Sequence, residues 1–208
     1  MKNFTLYLFL TSITFFGITS CSDANDDMDA LNAVSEFEIS EKKSEDPSIG
    51  DIVIASQPDE FSKLLFVLNF VDQYATNSPG LVNIFLNEKD QYTVFAPTDA
   101  AFDKLIGAVG LEFIQANPDY ILDVLLYHVT DGRRAANSVV PKNGVREITT
   151  LLPGYSFGVN ENATINSATI DPDAVATINT SEEGVTYNIS ANNGIIHVID
   201  EVLIPYLP

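Results

Sequence analysis

The chemistry open to this 208-residue chain is bounded by three side chains: Cys21, its only cysteine, and its two histidines, His128 and His197. Cys21 closes the run Ile18-Thr19-Ser20-Cys21, behind an apolar stretch from Phe4 to Ile18 and a positive charge at Lys2. A basic residue, a short apolar stretch and small residues before a cleavage point make up a secretory signal. A cysteine placed directly after them is an acceptor for lipid chains. Residues 1–20 are therefore expected to be a lipoprotein signal peptide, and Cys21 the lipidated residue. The apolar stretch is interrupted by Thr5, Thr11, Ser12 and Thr14, and it falls short of the ~20 apolar residues of a spanning helix. Two or three acyl chains hold a protein on a bilayer without any helix. With Cys21 used in this way, no thiol remains for a disulfide or a nucleophile.

The histidines could be general bases or metal ligands. Their surroundings favour a duller role. His128 stands between Tyr127 and Val129, where a helical pattern gives way to a strand, and His197 lies inside the apolar run Ile195–Ile199. Each is expected to be a core histidine satisfied by a hydrogen-bond partner. Asp171-Pro172-Asp173 hints at a calcium loop but lacks the central Gly and the terminal Glu of one. No Gly-x-Ser-x-Gly elbow, His-Glu-x-x-His helix or phosphate-cradling glycine loop occurs. The expectation is a chain that is not an enzyme, with no cofactor and no metal. A net charge of −19 and a pI near 4.1 exclude nucleic-acid binding, which needs a basic patch.

The elements around these residues divide the chain. Residues 21–50 read as an acidic, flexible tether in which Leu31, Val34, Phe37 and Ile39 are too sparse to form a core. Residues 51–208 have the apolar content of one domain. Its first half is helical in pattern. Ser56-Gln57-Pro58-Asp59 offers a helix start, and Phe61, Leu64, Leu65, Leu68 and Val71 follow on one face. Leu81, Ile84 and Phe85 mark a shorter helix. After the β-type run Tyr92–Phe95, Thr98 is expected to cap a helix carrying Phe102, Leu105 and Ile106, with Asp99 at its positive end. Asn117-Pro118 opens another helix, with Ile121, Leu122, Leu125 and Leu126 inward.

The second half reads as short strands: Val139-Val140, Glu147–Leu151, Tyr155–Val159, Ala168–Ile170, Val175–Ile178 and Val185–Ile189. Asn193-Gly194 is a tight-turn signal leading into Ile195–Asp200. Helices first and strands later predict an α+β fold with an antiparallel sheet.

Three blocks of this pattern resemble the fasciclin-type (FAS1) domain family. Tyr92-Thr93-Val94-Phe95-Ala96-Pro97-Thr98-Asp99-Ala100-Ala101-Phe102 is similar to the first signature block of that family. Leu125-Leu126-Tyr127-His128-Val129 resembles its central Tyr-His motif, and Asn193–Pro205 its second signature block. The resemblance implies a wedge-shaped β-sandwich of about seven strands with several helices packed against it. It implies cell adhesion through protein or glycan contacts, and no shared catalytic site. It makes Tyr127 and His128 candidate partner-binding residues, because this block is implicated in receptor recognition in adhesive relatives. It makes Thr98, Asp99 and His197 structural, and it suggests a hydrogen bond between His128 and Asp99 or Thr98. The stretch Val139–Ile189 departs from the regular pattern, notably at Asn160-Glu161-Asn162-Ala163-Thr164.

The whole reading is of a monomeric binding domain displayed on the outer membrane of a cell envelope. It is held to the membrane through Cys21, and it recognises an extracellular protein or polysaccharide. Acidic residues directly after Cys21 resemble the export signal of surface lipoproteins in Bacteroidetes-type bacteria. The alternative is a small-ligand or glycan-binding component of an envelope uptake system. A deep pocket with convergent polar groups would mark it. An exposed apolar patch would mark adhesion.

Overall fold

The computed structural model describes residues 46–56, 60–87, 89–169, 171, 173–178 and 188–206. Cys21, the tether before Asp46, the Pro58 helix start and the run Val185–Tyr187 lie outside them. Among the described residues, seven helices and seven strands follow one another: α1 (Ile49–Ala55), α2 (Ser62–Tyr74), α3 (Leu81–Leu86), β1 (Tyr92–Pro97), α4 (Asp99–Val109), α5 (Leu111–Ala116), α6 (Pro118–Tyr127), β2 (Val129–Asp131), α7 (Ala136–Val139), β3 (Val145–Thr149), β4 (Ser156–Asn160), β5 (Ile165–Asn166), β6 (Ile189–Ala191) and β7 (Gly194–Ile199).

The strands form two sheets, in the orders β2-β1-β7-β6 and β3-β4-β5. The expected α+β class holds, but the sheet is not purely antiparallel. Its central pair, β1 and β7, runs parallel over six register positions, from Tyr92↔Gly194 to Pro97↔Ile199. A parallel neighbour needs a long crossover connection, and everything from α4 to β6 lies between these two strands. Both strands are buried on both faces, as parallel strands usually are. Val94, Ala96, Ile196 and Val198 enter the core beneath the helices. Phe95 and Ile199 point the other way, into a second core shared with Ile148, Phe157, Val159 and Ile165 of the three-stranded sheet. The period-two alternation of one strand pair thus serves two cores at once.

Most helices follow the pattern of their apolar positions. In α2, Leu64, Val67, Leu68 and Val71 are buried. Pro118 occupies the first turn of α6, where its missing N–H costs nothing, and Ile121, Leu122, Val124 and Leu125 face inward. Thr98 caps α4 by accepting from the Ala101 N–H at 3.1 Å.

Several expectations change. Residues 46–50, placed in the tether by composition, are built into the fold. Ser48 and Asp51 form a reciprocal capping box for α1, and Ile49 is buried. The Asn192 side chain donates to Asp46 O, and the Asn192 N–H to Pro47 O, each at 2.9 Å. Val139-Val140 is not a strand. Val139 ends the single turn α7 and is fully buried, because the turn aims it into the second core. Ala168 and Thr177-Ile178 make only isolated bridges, to Ile204, Thr164 and Ile199. The hairpin turn falls at Asn192-Asn193, one residue before the expected Asn193-Gly194, since Ala191 pairs with Gly194.

Candidate functional site

Helix α6 ends at Tyr127, and His128 is its C-cap before β2 begins. The junction turns the two candidate partner-binding side chains inward: Tyr127 is 4% and His128 3% exposed. Little of either side chain is left at the surface for a partner. Tyr127 joins the second core, where its ring meets Phe157 edge-on at 5.5 Å. Its hydroxyl donates to Ser156 O and accepts from Ser167 Oγ, both at 3.2 Å. Burial pushes its pKa up, and the Ser167 hydroxyl partly offsets this.

Both ring nitrogens of His128 are used. Nδ1 donates to Val124 O at 2.6 Å, and Nε2 accepts the Leu203 N–H at 2.9 Å. An acceptor at Nε2 requires neutral imidazole with its proton on Nδ1. Burial agrees, lowering the pKa to about 4 against the hydrogen bond to Val124, which raises it. The ring therefore ties the segment after β7 to α6 and is not poised as a base near neutral pH. His197 is fully buried, and its Nε2 donates to Arg134 O at 2.9 Å. Thr93, on the neighbouring strand, donates to Gly132 O at 2.7 Å and accepts the Arg134 N–H at 2.8 Å. Together they fasten the loop after β2 to the central strand pair.

The hydrogen bond suggested between Asp99 or Thr98 and His128 is not formed. The Thr98 hydroxyl is occupied as the α4 cap. The Asp99 carboxylate turns to a different helix, accepting the Lys63 N–H at 2.8 Å and the Ser62 hydroxyl. These residues open α2, whose own N-cap, Phe61, has no side-chain acceptor. Asp99 thus sits at the start of α4 and also stabilises the positive end of α2. Burial, and then the Asp99 charge, raise the pKa of nearby Glu60.

The same device recurs where sequence reasoning did not look for it. Asp72, near the end of α2, accepts the Leu81 N–H at 2.7 Å and the Val82 N–H at 2.9 Å, capping α3 behind the left-handed Gly80. Asn193 is fully buried in the hairpin turn. It accepts the Ile49 N–H and donates to Phe85 O and Asn87 O, each at 2.8 Å. It joins the start of α1, the end of α3 and the sheet.

With these polar side chains of the signature blocks committed to the interior, the described residues also frame cavities and a cleft. Small apolar cavities of about 20 and 10 Å³ lie in the helical core, one beside His128 and one between α1 and α3. Each has room for about one water molecule. An open cleft of about 630 Å³ lies on the outer face of α2, lined by Phe66, Asn69, Phe70, Gln73 and Tyr74, with Gln115 and Pro118. Asp119 ties the end of α2 to the start of α6, accepting from the Thr76 N–H at 2.7 Å and its hydroxyl at 3.1 Å. Among the described residues, no group of three or more His, Cys, Asp and Glu side chains could hold a metal ion.

The sequence profile of the fasciclin domain matches residues 67–205. The chain belongs to the fasciclin domain family. A similar protein, sll1483 of Synechocystis sp., is 29% identical over 182 residues, spanning 83% of this chain and 86% of that one. Transforming growth factor-beta-induced protein ig-h3 of Sus scrofa is 32% identical over 133 residues, covering 63% of this fasciclin chain but 17% of its own length. Immunogenic protein MPB70 of Mycobacterium bovis is 32% identical over 55% of this chain and 50% of its own. The fasciclin chain thus spans half or less of these last two relatives. Among solved structures, a FAS1 domain pair from the insect cell adhesion molecule fasciclin I aligns with a TM-score of 0.41 and 15% identity, over 68% of this chain and 45% of that one. Among the described residues of the fasciclin chain, no helix is long and apolar enough to cross a membrane.

Proposed function

We propose that this fasciclin-family chain is an adhesive binding module of the cell envelope, anchored by lipid on Cys21 and displayed outward from the outer membrane. It attaches to an extracellular protein or polysaccharide and catalyses no reaction. The observation that carries the binding reading is the open aromatic cleft on α2. Phe66 and Tyr74 are 55% and 58% exposed there, far more than packing requires of large apolar side chains. Uptake of a small ligand would call for a pocket that encloses it, and the cavities of about 20 and 10 Å³ in the helical core are apolar and too small for one. The anchoring reading rests on Lys2, the Phe4–Ile18 stretch and the small residues before Cys21.

The test is saturable binding of the purified chain to cells of its source and to a panel of matrix proteins and polysaccharides. Saturable binding to cells or to a macromolecule supports attachment. A thermal shift with a small sugar or metabolite, and no macromolecular binding, overturns it in favour of uptake.

A further inference from the structure

The α2 cleft has a lining of one chemical kind. Phe66, Phe70 and Tyr74 stand at i, i+4 and i+8, the spacing that puts side chains in one row along a helix. The row is about 12 Å long at 1.5 Å per residue. Phe70 and Tyr74 lie with ring centroids 5.0 Å apart. The polar groups beside the rings are the amides of Asn69, Gln73 and Gln115. Among the described residues, neither the Gln73 nor the Gln115 side chain is held by a hydrogen bond.

No carboxylate, ammonium or guanidinium lines this cleft, on a chain of net charge −19. Two acidic side chains on the helices that line it, Asp72 of α2 and Asp119 of α6, are turned to other work. Asp72 caps α3, and Asp119 is bound to Thr76. Those hydrogen bonds hold the two carboxylates toward their own partners, away from the cleft lining.

Rings beside amides match one class of ligand better than others. A pyranose presents a face of C–H bonds, weakly positive, to the negative face of an aromatic ring. Its hydroxyls are donors and acceptors at once, as a primary amide is. A protein partner that buries such a row would bring apolar side chains and has no need of three amides. An acidic glycan would meet the overall negative charge and find no cation in the cleft. We infer that the α2 cleft, with Phe66 and Tyr74 as stacking platforms and Gln73 and Gln115 as hydrogen-bonding groups, binds a neutral polysaccharide chain. This rests on the binding-module reading above and gives it a ligand class and a location. The cleft is open, and the row is long enough to engage more than one sugar ring, so a polymer suits it better than a monosaccharide.

The test is affinity gel electrophoresis of the purified chain through gels containing a mannan, a β-glucan, a galactan, dextran or polygalacturonate. Binding of the same preparations to source cells is measured in parallel. The expected result is retardation by a neutral polymer but not by polygalacturonate, with Kd raised about tenfold or more by Phe66→Ala and Tyr74→Ala together. Gln115→Ala, on the facing wall, is a second lesion expected to weaken binding independently. Val145→Ala, at another exposed apolar position, is expected to leave retardation unchanged. Circular dichroism confirms that each variant is folded.

Equal retardation of wild type and variants overturns the cleft as the site and leaves the binding module standing. Cell binding without retardation by any neutral polymer overturns the ligand class alone. Absence of both kinds of binding removes the proposed function as well.

Discussion

His128 shows how burial changes what a residue type does. An imidazole titrating near 6.5 in an exposed chain is held neutral in the fold down to about 4. Between these values the unfolded chain binds the proton and the folded one does not, so folding stability falls as pH falls. The loss is about 3 kcal/mol across the window, with none of it felt above pH 6.5. Urea unfolding at pH 7.5, 6, 5 and 4 checks this, and His128→Gln is expected to flatten the slope between pH 6.5 and 5. At neutral pH, His128→Ala strands the buried Leu203 N–H and is expected to cost about 2–4 kcal/mol. Unchanged thermal stability would sink the structural role. For Asp99 the consequence is electrostatic as well as geometric. Asp99→Ala removes the acceptor for Ser62 and the Lys63 N–H and is expected to lower stability by about 1–2 kcal/mol. Its double-mutant cycle with Ser62→Ala is expected to show coupling.

At the scale of elements, the parallel pairing of β1 with β7 depends on close approach at one position. A Cβ built on Gly194 would lie 2.0 Å from Tyr92 O and 2.7 Å from Ile49 Cδ1. Backbone cannot yield as a flexible side chain does, so Gly194→Ala forces the strands apart at the start of their register. The expected cost is about 3 kcal/mol or more, read from the denaturation midpoint. Residue 193 beside it makes a second test. Asn193→Asp keeps the acceptor for the Ile49 N–H but deletes both donations, to Phe85 O and Asn87 O, and buries a charge. It is expected to destabilise more than Asn193→Ala, in the order opposite to side-chain similarity. Amide exchange would report the loss first in α1 and at the end of α3.

For the whole molecule, the net charge of −19 makes self-repulsion a standing cost of compactness. The melting temperature is expected to rise with sodium chloride between 20 mM and 500 mM, since salt screens repulsion between exposed carboxylates. A fall with salt would mean that paired charges such as Lys63–Asp103 and Lys104–Glu201 outweigh it. Under the proposed anchoring, Cys21→Ser is expected to shift the protein from the membrane fraction to the soluble one, with loss of the acyl mass on the N-terminal peptide.

What the sequence determined was local. The α4 cap at Thr98, the proline start of α6 and the apolar faces of α2 and α6 each depend on residues within a few positions of one another, so spacing reveals them. The signature blocks revealed the family by the same kind of short-range pattern. The rest depended on distant partners. That Asp99 would cap α2, that Asn193 would join α1 and α3, and that β1 would lie parallel to β7 are facts of tertiary placement, with no trace in local periodicity. The proposed binding surface was hidden for a related reason. Tyr127 and His128 drew notice as a motif and proved buried. Phe66, Phe70 and Tyr74 sat unmarked in a helix whose other face carried the expected core residues. Hydrophobic spacing identifies a helix face, but only packing decides which aromatic residues are covered by the fold and which are left to meet something else.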